Sequence, residues 1–131
     1  MQVARCIGRK LARLGAKVPT GVDVREEARS VMEKLRDQLG ETINLTVREG
    51  DEVIYVERAT SNRMMRVEQV IGSRAPLHVT AVGKLMLGEQ GEAACRSYAE
   101  RTRLPAYTEN TLTRATALTR DCMASARRGY A

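Results

Sequence analysis

The sequence predicts one α+β domain, with an antiparallel sheet flanked by helices. Three observations lead there. Apolar residues recur at helical spacing from Ile7 to Leu39, the period drops to two between Thr42 and Arg58, and short capped helical segments follow Pro76. A chain of 131 residues is long enough for one core and too short for two.

Ile7, Leu11, Leu14 and Val18 share one side of a first helix, which "VPTG" stops. Asp23 with Glu26 opens a second in the manner of a capping box, since a short carboxylate accepts the first free N–H groups. Its inward face is read as Val24, Ala28, Val31, Met32, Leu35 and Leu39, with Gly40 as its end. In "TINLTV" Ile43, Leu45 and Val47 alternate with polar residues, "REGDE" supplies a turn at Gly50, and "VIYVER" follows as a β-branched strand, so Thr42 to Arg58 reads as a hairpin. "RMMRVEQVIG" is short and bounded by turn residues, and reads as a third strand.

Pro76 favours extended backbone at Ala75. Thr80 then caps "AVGKLMLG", with Gly88 as its expected stop. Glu89 to Arg103 reads as helical with Ala94, Cys95 and Tyr98 inward, closed by Pro105. Thr113 is expected to cap a last helix that carries Leu118, Cys122 and Ser125 on one side and ends at Gly129.

Composition narrows the chemistry. With neither Trp nor Phe and only four Tyr, the core must be built from aliphatic residues and Met. No apolar run reaches the ~20 residues of a membrane span, and the N-terminus lacks a signal peptide's apolar region, so a cytoplasmic protein is expected. Cys6, Cys95 and Cys122 are odd in number and widely spaced, and read as small buried thiols. The net charge of +6 is concentrated in residues 1–22, where Arg5, Arg9, Lys10, Arg13 and Lys17 meet no acid, leaving 17 basic against 16 acidic residues elsewhere. A solvated helix face and a segment lying near nucleic acid both fit that pattern.

The stretch "PLHVTAVGK" holds the only histidine. It is no phosphate loop, because a Walker motif needs Gly where His78 stands and Ser or Thr where Leu85 stands. His78 has no local nucleophile motif and no second metal-ligand residue around it, so an enzyme is not expected, nor any cofactor or metal. What remains is a helix start. If Thr80 caps it, the N–H groups of Ala81, Val82 and Gly83 point together at the positive end of a dipole, which suits a carboxylate or other small anion, and Lys84 adds charge nearby. The plainer reading is that Thr80 only caps and His78 only packs.

The residues also resemble a known family. "GETINLTVREGDEVIYVERATSNRMMRVEQVIGSRAPLHVTAVGKLML" is similar to the effector-binding domain of IclR-type bacterial transcription regulators, in the pattern Gly-Glu-Thr, strand, G-x-x-V-x-Y-V, then G-x-R-x-P-L-H-x-T-A-x-G-K. "LPAYTENTLT" and "ARRGYA" follow in the family's order, so the resemblance covers nearly the whole chain.

The resemblance implies a GAF-like sensor fold, incomplete within this sequence. Residues 1–21 would be a linker helix following a winged helix-turn-helix that the sequence lacks, and 22–131 part of the effector-binding domain, whose later strands lie beyond Ala131. It implies a small organic effector, often a carboxylate, against a wall of Met64, Val67, Ala81 and Val82, with Thr80 and Gly83 at the helix start and His78 in the adjoining loop. It further implies a homodimer or tetramer that binds operator DNA only through the absent N-terminal domain, with no membrane partner. An oligomerisation module with a vestigial pocket is the competing expectation.

Overall fold

The computed structural model describes residues 24–65 and 70–131. The first expected helix, the basic cluster, Cys6, Asp23 and the 1–21 linker all lie outside the described residues. Four α-helices and three strands are seen among the described residues: α1 (Val24–Leu39), β1 (Ile43–Glu49), β2 (Glu52–Ala59), β3 (Arg74–Pro76), a 3-10 turn (Leu77–Val79), α2 (Ala81–Gln90), α3 (Glu92–Thr102) and α4 (Ala115–Arg128). The sheet order is β1-β2-β3. Only Gly50 and Asp51 join β1 to β2, a connection too short for anything but an antiparallel hairpin. Beside β2, Tyr55 donates its N–H to Ser73 O (3.1 Å) and accepts from Gly72 N–H (2.7 Å), two residues facing one as in a bulge.

The third strand is not where the sequence suggested. Of "RMMRVEQVIG", residues 66–69 lie outside the described residues, while Met64 and Met65 form an exposed bend and Ile71–Gly72 a turn. The strand is Arg74–Pro76. β2 is flanked by β1 on one side and by β3 on the other.

The chain divides into two compact units. One is described over residues 24–47, 54–65 and 70–74, and holds α1 and most of the hairpin. Ala28 and Met32 are buried with Leu45 and Ala59, and Ile43 and Val56 pack against them. The inward face of α1 is narrower than expected: Val24, Val31 and Leu39 remain 39%, 36% and 41% exposed. Arg29 reaches across to Glu57 at 3.1 Å.

The other unit is described over residues 48–53 and 75–131, the hairpin tip and the three later helices. Here α2 packs chiefly against α4, and α4 also against α3. Gly88 does not end its helix. It sits inside α2, where an added Cβ would lie 2.1 Å from the Cys122 carbonyl oxygen, so it is the point at which two helix backbones meet. The break comes at Gly91, whose φ of 96° ends α2, and α3 therefore starts at Glu92.

Leu118, Cys122 and Ser125 are fully buried on α4 as expected, although Arg114 rather than Thr113 occupies the N-cap, with no side-chain bond. Cys95 and Cys122 are buried free thiols. Burial, with Cys95 alongside, pushes the Cys122 thiol up to about 12, so it stays protonated and unreactive at neutral pH. No described helix is long and apolar enough to cross a membrane.

Candidate functional site at the start of α2

Pro76 leaves β3 in extended geometry, the 3-10 turn reverses the chain, and Thr80 is again extended (φ −118°, ψ 143°) before α2 begins. Thr80 is the cap that the sequence indicates. Its Oγ1 accepts the Gly83 N–H at 3.1 Å, and its carbonyl accepts the Lys84 N–H at 3.0 Å. This corrects the expected count of free donors: of the three amides, Gly83 spends its own on the cap, and no partner among the described residues meets those of Ala81 and Val82. Ala81 and Val82 are themselves half-buried.

Gly83 has a second role that spacing could not show. A Cβ there would fall 2.2 Å from Leu77 O and 2.5 Å from Leu77 Cα, so the first turn of α2 lies directly on the turn that precedes it. The charge expected from Lys84 is also committed elsewhere, since its Nζ is 2.8 Å from Asp121 Oδ2 on α4. The positive character of this helix start therefore comes from the backbone dipole rather than from a side-chain cation.

His78 is 1% exposed and both ring nitrogens are engaged, Nδ1 with Tyr98 Oη at 2.8 Å and Nε2 with Pro105 O at 3.0 Å. A ring so tied has no lone pair to spare for a substrate proton. At the hairpin tip, Asp51 accepts from Arg101 Nε (3.0 Å) and Nη2 (2.6 Å), and that guanidinium holds the carboxyl below the usual carboxylate range.

Of the six residues expected at a site, Thr80, Ala81, Val82 and Gly83 form one continuous helix start. Met64 belongs to the other unit and is fully exposed, and Val67 lies outside the described residues. Sequence reasoning missed the partners behind the helix start. The spacing places Tyr98 inward, but nothing in it links Tyr98 to a histidine 20 residues earlier, nor Arg101 to Asp51.

The fold and the motif define the chain as a C-terminal domain of a bacterial transcription regulator. Residues 16–131 match the family described as "Bacterial transcriptional regulator IclR C-terminal", and the chain belongs to that family. The HTH-type transcriptional regulator KipR of Bacillus subtilis is 30% identical over 127 residues, which are 97% of this chain and 51% of that protein. The crystal structure of Thermotoga maritima IclR superposes with a TM-score of 0.74 at 27% identity, over 95% of this chain and 50% of that one. An IclR homologue from Microbacterium hydrocarbonoxydans, complexed with 4-hydroxybenzoate, gives 0.72 at 25% identity, over 91% and 50%. The chain thus spans about half the length of these relatives, and the relatives named for a role are regulators of transcription rather than enzymes.

Proposed function

We propose that this chain is the effector-sensing part of an IclR-type regulator and that it binds a small organic carboxylate. The observation that carries the reading is the capped start of α2, where the Ala81 and Val82 amides stand free at the positive end of a helix dipole. The Microbacterium homologue was solved with 4-hydroxybenzoate, a ligand of this chemistry. Thr80 and Gly83 fix the geometry of the amides. In the intact regulator, residues 1–21 would connect to the DNA-binding domain and 22–131 to the rest of the sensor. The protein acts in the cytoplasm as a dimer or tetramer on operator DNA, performing no catalysis. The effector favours one arrangement of the subunits, and its differential affinity sets the shift in operator occupancy.

Urea unfolding of the 131-residue chain, followed by circular dichroism with and without 4-hydroxybenzoate and pyruvate, tests this. A carboxylate present at a hundred times its Kd adds about 2.7 kcal/mol and moves the midpoint upwards. A midpoint that neither acid moves, in a chain that unfolds cooperatively, counts against carboxylate sensing. One observation favours the second reading, an oligomerisation module: among the described residues β1 is a sheet edge with Val47 exposed, and Val24, Val31 and Leu39 of α1 are exposed as well. Sedimentation of the chain bearing Val31→Glu decides whether that face holds subunits together.

A further inference from the structure

The start of α2 is held from behind by α3. Pro105 O can only accept, so Nε2 of His78 carries the ring proton, and in a neutral ring Nδ1 is then the acceptor. The Tyr98 hydroxyl therefore donates to Nδ1 at 2.8 Å, and it accepts the backbone N–H of the same His78 at 3.2 Å. Burial raises the phenol above its ordinary value, which keeps the donated proton in place. One hydroxyl thus fixes both the ring and the main chain of one residue. Three residues on, Arg101 grips the Asp51 carboxylate, while Asp51 O accepts the Leu77 N–H at 3.2 Å. α3 consequently holds His78 directly and Leu77 through Asp51. Leu77 is the residue on which Gly83 rests, and its carbonyl also receives the Thr80 N–H at 3.5 Å.

We infer that Tyr98, acting through His78, is a positioning residue for the free amides of Ala81 and Val82. Its use in binding rests on the sensing role proposed above, but the coupling belongs to the ligand-free chain and is measured there. Tyr98→Phe keeps the ring and removes the hydroxyl that makes both bonds.

Hydrogen exchange by NMR on the 131-residue chain reads the effect. The amides of Gly83 and Lys84, both bonded to Thr80, should exchange about tenfold faster in Tyr98→Phe, while that of Leu118 in α4 keeps its rate. Unchanged rates at Gly83 and Lys84, or an equal acceleration in every helix, would reduce Tyr98 to ordinary core packing and overturn the inference. Should the variant not fold, the unmodified chain still decides: in its neutral form the His78 ring must show a single tautomer protonated at Nε2, and a neutral ring with its proton on Nδ1 refutes the arrangement. A carboxylate screen that fails while these amides respond removes the sensing role and leaves the coupling intact.

Discussion

The two compact units use helices of similar pattern in different ways. α1 and α4 both carry an apolar stripe, yet α4 buries Leu118, Cys122 and Ser125 completely, whereas α1 buries Ala28 and Met32 and leaves Val24, Val31 and Leu39 substantially exposed. The difference lies in what each helix meets. α4 is packed against both α2 and α3, while among the described residues the buried part of α1 meets Leu45 and Ala59 of the hairpin, with Ile43 and Val56 against them. An amphipathic stripe reports what a helix is able to bury, and the number of neighbours decides how much of it is buried.

A matched pair of truncations, one on each helix, gives the largest expected difference. Leu118→Ala should cost about 3 kcal/mol, because it removes fully buried methyl groups and leaves a cavity between helices. Val31→Ala, at a position 36% exposed, should cost less than about 0.5 kcal/mol. Equal losses in urea unfolding would show that α1 is as fully covered in solution as α4.

A smaller effect is expected at the backbone contact between α2 and α4. Gly88→Ala drives a methyl group towards the Cys122 carbonyl and should cost about 2 kcal/mol, despite the better helix propensity of alanine. A stabilised variant would mean that the two helices do not approach so closely.

The smallest effect separates the ion pairs. Arg101 holds Asp51 through two bonds, whereas Arg29 reaches Glu57 at 3.1 Å through Nη2. The folded-state pKa of Asp51 is depressed, so its contribution is fully present above the unfolded carboxylate value of about 3.9 and is lost as pH falls through the folded value. Asp51→Asn should therefore be slightly less stable than the parent at pH 7, with the gap closing on acidification. A gap independent of pH would assign the loss to packing.

Much of this was legible in the sequence, for local reasons. The hairpin followed from alternation around Gly50, the Thr80 cap from a hydroxyl ahead of an apolar run, and the buried face of α4 from spacing alone. The errors have a common origin. "RMMRVEQVIG" has strand-like composition, yet its described residues lie in a bend and a turn while Arg74–Pro76 flanks β2, and Gly88 looks like a terminator until the Cys122 carbonyl is found against it. Of the candidate site, the contiguous residues Thr80 to Gly83 could be read directly, because a cap and its helix are encoded within one turn.

Fold class, family pattern and the capped helix start at Thr80 were all readable from the order of residues alone. Long-range packing was needed to see that Gly83 spends its amide on the cap, that Lys84 is spent on Asp121, and that Tyr98 and Pro105 stand at the two ring nitrogens of His78. Periodicity and capping depend on neighbours within a few residues. A hydrogen bond between residues 20 or 27 positions apart has no periodic signature, and it exists only once packing has brought the two groups together and excluded water from both.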